Sequence, residues 1–142
     1  MKAYIIPNRN QIEESLELAS RYELAFEYND FFQPEVLSDK ESTNLLIKEY
    51  NTLGRDTSKD TLHGAFYDVT IHSSDSLIRE ASQLRVHQSM EIAEKIGVLA
   101  VIFHTNCISG FSMKNYDDYW VEKNTEFWSS ILEKYKNLKI YI

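Results

Sequence analysis

The sequence predicts an α/β protein with a parallel sheet of five strands that alternate with helices. Short apolar segments rich in β-branched and aromatic residues alternate along the 142 residues with longer segments of helical spacing. Strands that alternate with helices are typical of right-handed βαβ crossovers, and therefore of parallel pairing. The composition agrees with this class, because 43% hydrophobic and 13% aromatic residues suffice for a buried core.

The five predicted strands are short runs of Val, Ile, Leu, Phe and Tyr. The fourth is the most apolar: every residue from Val98 to Phe103 is hydrophobic, as expected for a strand that is buried on both faces. The strands are predicted over residues 3–6, 24–28, 61–66, 98–104 and 138–142.

Four helices are predicted between these strands from apolar residues at i, i+4 and i+7, such as Ile12, Leu16 and Ala19. Gly97 stands where a left-handed residue often ends a helix. Both prolines are expected between elements. The predicted helices cover residues 10–22, 40–53, 76–96 and 116–136.

Charge and cysteine content narrow the class of protein. The net charge of −7 and the lack of a Lys/Arg run disfavour nucleic acid as a partner. Cys107 is the only cysteine, so no disulfide can form within the chain, and we expect a reducing cytoplasm. No apolar run approaches the ~20 residues of a membrane helix. Gly-rich phosphate loops and the GxSxG nucleophile motif are also missing from the sequence.

Two architectures fit this order of elements, and both build sites at the carboxyl ends of the strands. One is the open doubly wound sheet, and the other is the closed (β/α)8 barrel. A barrel typically needs about 250 residues. Length alone therefore favours the open sheet, with one domain over residues 1–142.

Polar side chains fall near the ends of the three middle strands. Because side chains alternate along a strand, Glu27, His63 and His104 each lie beside small or aliphatic residues on one face. Neighbouring strands are ~5 Å apart, so two imidazoles and a carboxylate there can share a divalent ion. The alternative is that each histidine is half-buried and bonded to nearby backbone.

The remaining candidates have simpler interpretations. His72 is expected in a solvated loop, with a place facing the site as the alternative, and His87 is expected on the surface of a helix. Cys107 belongs to no recognisable acid/base dyad. The aromatic residues between Tyr116 and Trp128 have the spacing of a core-facing helical stripe.

Longer segments resemble a known family. LHGAF (62–66), followed by IREASQLRVHQSMEIAEKIGVLAVIFHTN (78–106), is similar to the middle of the xylose isomerase-like barrels. These include sugar-phosphate isomerases and epimerases and the AP endonuclease family 2 (endonuclease IV-type) enzymes. LAFEYN (24–29) resembles the second strand of that family and LKIYI (138–142) the fifth, which in the family usually continues into a glutamate.

The resemblance implies an incomplete (β/α)8 TIM barrel, with a divalent-metal site at the carboxyl mouth of the complete one. In the endonuclease IV-type branch the matching histidines, His63 and His104, are zinc ligands. In the isomerase/epimerase branch Glu27, His63 and His104 would line the substrate pocket, and the catalytic glutamates lie on later strands. The ion would be Zn, Mn, Mg or Co in the full-length family; whether this chain retains one is left open.

Three functions follow as expectations. The first is a metal-dependent isomerase or epimerase of a small sugar or sugar phosphate, incomplete in this chain because it stops at Ile142. The second is a zinc AP endonuclease or phosphodiesterase. The third is a non-catalytic barrel fragment that associates with itself or another chain through an open sheet edge.

Overall fold

A single five-stranded parallel sheet organises the computed structural model, which describes residues 3–107 and 115–142. Each strand pairs with the next one along the chain, so the predicted α/β class is confirmed. The strands are shorter than predicted; the third, for example, ends at His63 rather than Phe66. They are β1 (Tyr4–Ile5), β2 (Ala25–Tyr28), β3 (Thr61–His63), β4 (Ala100–Ile102) and β5 (Lys139–Tyr141).

The helices lie where the apolar spacing predicts them, with one addition. A short helix begins at Pro34, which was expected between elements; proline is favoured at the first turn because its missing N–H has no partner there anyway. Asp39 then caps the next helix by accepting from the amides of Glu41 and Ser42. A 3-10 turn (Arg9–Gln11) precedes α1 (Ile12–Tyr22), followed by α2 (Pro34–Ser38), α3 (Lys40–Asn51), α4 (Ser76–Ile96) and α5 (Tyr116–Lys134).

Strand order distinguishes the two architectures. A doubly wound sheet reverses its order at a switch point, whereas here the spatial order β1-β2-β3-β4-β5 repeats the sequence order. Right-handed crossovers in such an order place all connecting helices on one face, as in a (β/α)8 barrel. The open doubly wound sheet that length favoured is therefore wrong.

The two faces of the sheet differ in chemistry. Tyr28, Leu62 and Val101 stand in register on neighbouring strands and are 0% exposed. They belong to the hydrophobic core that includes helix residues such as Met90 and Ile131. The other face carries Glu27, Thr61 and Ala100 in register. The helix-covered face thus stabilises the sheet, and the opposite face carries the predicted site residue Glu27.

A buried ion pair ties the amino ends of β2 and β3 together. Asp60 is 0% exposed and accepts from the amide of Phe26 (2.8 Å), the hydroxyl of Tyr28 (3.0 Å) and two guanidinium nitrogens of Arg55 (2.8 Å each). Burial and the Asp60 carboxylate raise the pKa of Tyr28, so the phenol keeps its proton and donates a hydrogen bond to Asp60. Phe26 and Tyr28 of this network belong to the hydrophobic core, on the face of the sheet opposite to the one that carries Glu27.

None of the helices in the described ranges is long and apolar enough to span a bilayer.

Candidate functional site

Glu27, His63 and His104 meet at the carboxyl ends of three adjacent parallel strands. Glu27 is on β2 beside Thr61 of β3, and His63 ends β3 beside Ile102 of β4. His104 follows two residues after Ile102, which returns its side chain to the same face. Strand alternation therefore identified three side chains that the fold does bring together. Their roles in substrate or metal binding stay a prediction.

His63 is the central member of this group, which we call the Glu27–His63–His104 triad. Its Nδ1 atom lies 2.8 Å from Oε1 of Glu27, and its Nε2 atom lies 3.1 Å from Nε2 of His104. An ionised carboxylate only accepts, so the proton at this contact belongs to Nδ1 of His63. Neutral His63 then has a lone pair on Nε2, which can accept a hydrogen bond from His104 or from a ligand hydroxyl, or can bind a metal ion.

The triad is accessible to solvent, although hydrogen bonds fix its side chains. The side chains of His63 and Glu27 keep 17% and 22% of their surface exposed, and His104 is exposed. Partial burial holds the carboxylate–imidazole bond in place, while the remaining surface lets a small molecule reach the rings. This combination of convergent polar groups and solvent access is typical of a binding site.

The loop that leaves β3 is fixed by side chains from elsewhere in the fold. Helix α4 contributes two buried serines: Ser89 accepts from the amide of Ala65 (3.0 Å), and Ser82 accepts from the amide of Thr70 (2.8 Å). From the β4 loop, Asn106 donates to the carbonyls of Phe66 (3.2 Å) and Val69 (2.6 Å). The loop is thus held in one position next to the triad.

Gly64 permits close packing directly beneath His63. A Cβ atom added at Gly64 would lie 2.3 Å from Cε1 of Phe103, a ring that is 3% exposed and packs on Trp128. No other residue fits without moving that ring. Glycine at this position therefore allows the β3 loop to turn across β4 and keeps His63 near His104.

A cluster of three aromatic side chains adjoins the triad through Phe66, and the sequence pattern did not single it out. The ring of Phe66 is centred 5.2 Å from that of His63 and 5.0 Å from that of His104. Phe32 stacks on Phe66 at 4.9 Å, and Tyr67 contacts both phenylalanines. The only sequence signal was the position of these residues, just after β2 and β3, at the end where sites form.

His72 is buried, so its predicted place in a solvated loop is wrong. Only 5% of it is exposed, and its Nε2 atom lies 3.3 Å from the hydroxyl of Tyr116. Burial lowers the pKa of His72, because the charged imidazolium would lose its hydration. Its Nδ1 atom and Nε1 of the neighbouring Trp120 are buried without hydrogen-bond partners among the described residues. His72 belongs to the packing under α5 and not to the triad.

His87 is half-buried rather than on the open surface. Its Nδ1 atom lies 3.1 Å from the hydroxyl of Tyr135 across the α4–α5 contact, and its pKa is lowered by burial and by Lys134. The aromatic stripe of α5 is core, as expected, with Phe127 and Trp128 buried. Cys107 is exposed. None of these residues joins the triad.

These features together define the kind of fold. Five parallel strands in sequential order, connecting helices on one face and polar side chains at the carboxyl ends are those of a TIM barrel. The chain therefore has the fold of part of a TIM barrel, as expected from the sequence.

Solved structures supply the particular likenesses. A D-tagatose 3-epimerase-like protein matches 99% of this chain and 51% of its own, with a TM-score of 0.67 and 19% identity. The TTHB071 protein from Thermus thermophilus, in a crystal soaked with ZnCl2, matches 98% of this chain and 53% of its own, with a TM-score of 0.63 and 15% identity. The chain thus spans about half the length of these proteins. No protein-family profile and no curated protein matches the sequence.

Proposed function

We propose that this chain supplies the amino-terminal part of the active site of a metal-dependent sugar or sugar-phosphate isomerase or epimerase. The observation that carries the proposal is His63, held by Glu27 at Nδ1 and facing His104 at Nε2. The likeness to a D-tagatose 3-epimerase-like protein supports a carbohydrate as the substrate class. Complete activity requires catalytic groups that the resemblance assigns to later strands.

The two imidazoles fit two positions around a divalent ion. Imidazole–metal bonds of about 2.0–2.1 Å at tetrahedral or octahedral angles separate two nitrogens by roughly 2.9–3.4 Å, and the two Nε2 atoms are 3.1 Å apart. Glu27 is bonded to the opposite nitrogen of His63, in the place of a carboxylate that orients a ligand. Within the described ranges no set of three or more His, Cys, Asp and Glu could hold an ion. A third ligand would have to come from outside this set.

Each residue of the triad then has a definite task. A divalent ion, when bound, polarises the carbonyl and hydroxyl oxygens of the sugar. Glu27 keeps the proton on Nδ1 of His63 and fixes the plane of its ring. His63 presents its Nε2 lone pair to the mouth of the site, and exposed His104 offers a second imidazole at the point where a sugar would enter.

We also infer a cytoplasmic location for this activity. Cys107 is the single cysteine of the chain, so the stability of the fold does not depend on an internal disulfide. Small sugars and their phosphates are available to an enzyme in that compartment. Fractionation of cells that express the protein would test this inference, which recovery in an extracellular fraction would contradict.

Proton exchange tests the proposed reaction. The protein with the later strands that supply the remaining catalytic groups is incubated in deuterated water with D-tagatose, D-fructose and their phosphates, together with Mn2+ or Co2+, and NMR follows the proton next to the carbonyl. We expect exchange that is lost in His63→Gln and His104→Gln and kept in His87→Gln, a histidine remote from the triad. Absence of exchange from every sugar in the panel would contradict the proposal.

A zinc phosphodiesterase is the second candidate, because the resemblance assigns His63 and His104 to zinc in the endonuclease IV-type branch. The 3.1 Å spacing of their Nε2 atoms favours it equally. The net charge of −7 opposes it, since DNA binding relies on cationic contacts with phosphate. Cleavage of a duplex with one abasic site, together with bound zinc, would favour this candidate over the isomerase.

A further inference from the structure

We propose that Phe32, Phe66 and Tyr67 form a stacking platform for the apolar face of the sugar whose polar groups reach His63 and His104. This inference rests on the proposed function, because it names how the same site would hold its substrate. The three residues come from the segments that follow β2 and β3 and lie together at the carboxyl end of the sheet.

The three rings of the platform pack against one another and remain partly exposed. Phe66 stacks on Phe32 with an interplanar angle of 20° and a centroid distance of 4.9 Å. Tyr67 packs edge-on against Phe32 at 5.3 Å and keeps 53% of its surface exposed. Phe32 and Phe66 are only partly buried. The cluster therefore presents aromatic surface to solvent instead of completing the core.

The platform adjoins the triad, which indicates what kind of molecule covers it. The Phe66 ring is within 5.2 Å of both imidazole rings, measured between centroids. A ligand in contact with both must be apolar on one side and rich in hydrogen-bonding groups on its edge. Sugars have this form: their C–H groups carry slight positive charge that suits the negative face of an aromatic ring, and their hydroxyls suit imidazole.

A phosphate group finds no charged partner on the platform itself. Phe32, Phe66 and Tyr67 carry no cationic group that could pair with a phosphate placed on their rings. The platform should therefore contact the carbon skeleton of the substrate, whether or not the substrate is phosphorylated elsewhere.

The platform is also preorganised. Asn106 donates to the carbonyls of Phe66 and Val69, and its φ of 51° is a left-handed conformation that asparagine tolerates. Ser89 anchors the same loop at Ala65. A surface fixed before binding loses little conformational entropy when a ligand arrives. Four side-chain hydrogen bonds, from Ser82, Ser89 and Asn106, thus fix the loop beside these partly exposed rings.

Sugar binding to Phe66 variants tests the platform. Dissociation constants of D-tagatose, D-fructose and their phosphates are measured by NMR titration for the wild type, Phe66→Leu and Phe66→Tyr. Loss of stacking in Phe66→Leu should weaken binding roughly threefold to tenfold. The factor should be similar for each sugar and its phosphate. Phe66→Tyr keeps an aromatic ring and should keep most of the affinity. The matched control is Tyr22→Leu, which removes an exposed ring at the end of α1 and should leave the dissociation constants unchanged.

Saturation-transfer NMR on the wild type avoids any dependence on the folding of a variant. Irradiation of the aromatic protons should reach the C–H protons of one sugar face more strongly than those of the other. Equal transfer to both faces, no binding of any sugar, or unchanged affinity in folded Phe66→Leu would overturn the platform. A change in oligomeric state in Phe66→Leu, with sugar affinity unchanged, would instead assign the rings to contact between copies.

The two proposals fail in different ways. Sugar binding that depends on Phe66 without proton exchange would support the platform and contradict the isomerase. Proton exchange that is unchanged in Phe66→Leu would support the isomerase and contradict the platform.

Discussion

The Nε2 atoms of His63 and His104 lie 3.1 Å apart, although the two residues are 41 positions apart in the sequence. Two parallel strands bring them to this distance, and Glu27 on a third strand fixes the ring of His63 through Nδ1. The arrangement is a property of strand order: β2, β3 and β4 are neighbours and end at the same edge. The chemistry proposed for the protein depends on this contact.

Glu27→Gln should weaken metal binding without unfolding the protein. The neutral amide is a poorer acceptor than a carboxylate, so it holds the proton on Nδ1 of His63 less firmly. Loss of such an orienting partner typically costs 10–100-fold in metal affinity. Calorimetric titration with Zn2+ or Co2+ measures this, with Glu23→Gln, an exposed residue beyond α1, as the control. Equal affinities in the two variants would show that Glu27 does not orient the ring.

Asp60→Ala should strongly destabilise the fold. It removes the carboxylate that pairs with Arg55 and accepts from Phe26 and Tyr28, and so leaves a partly buried guanidinium without its partner. Breaking a buried pair in this way costs about 3–5 kcal/mol in the free energy of unfolding. Urea denaturation measures the change. Asp56→Ala, at an exposed position four residues away, should cost far less, and similar losses in both variants would refute the assigned role.

Gly64→Ala should destabilise the protein through the ring of Phe103. The added Cβ would approach that ring to 2.3 Å. Overpacking of a core costs about 1–3 kcal/mol. In the double variant Gly64→Ala with Phe103→Leu, the shorter side chain makes room. The loss in the double variant should therefore be smaller than the sum of the two single losses in a double-mutant cycle. Strict additivity would mean that the ring is not the obstacle.

The stability of the protein should fall as the pH drops below about 6.5, the usual pKa of histidine. Burial lowers the pKa of both His72 and His87, so the unfolded chain binds protons at a higher pH than the folded one does. Their contribution is complete above the unfolded pKa and is lost as the pH falls through the folded pKa. Chemical denaturation at several pH values between 5 and 8 measures how the free energy of unfolding changes with pH. We expect this change to be smaller in His72→Leu. An unchanged dependence on pH would mean that His72 does not take up a proton on unfolding.

Release of the β3 loop should be visible in hydrogen exchange. Asn106→Gly removes the two bonds to the carbonyls of Phe66 and Val69 and still accommodates the left-handed backbone. The amides of residues 66–69 should exchange faster, while those of the β3–β4 ladder keep their protection. Unaltered exchange in the loop would indicate that Ser82 and Ser89 suffice to hold it.

The sequence predicted the repeating architecture because strand and helix periodicity are local properties. It also identified Glu27, His63 and His104, since alternation along a strand decides which side chains share a face. The barrel order was not derivable from length, and Pro34 concealed a short helix because proline both interrupts helices and begins them.

The burial of residues outside helices and strands was harder to predict from the sequence. His72 stands among serines and threonines that suggest solvent, yet the α5 packing covers it. Asp60 has no local signal except that a charged residue directly precedes a strand; its partners Arg55, Phe26 and Tyr28 meet it only through the fold. The platform likewise requires two loops to come together, which no periodicity encodes.

The most direct test of the triad is the 15N NMR spectrum of the imidazole rings during titration with Zn2+. We expect His63 to carry its proton on Nδ1 before metal is added, and the Nε2 resonances of His63 and His104 to shift together as the ion binds. A proton on Nε2 of His63 at neutral pH, or a metal response in one ring without the other, would contradict the account.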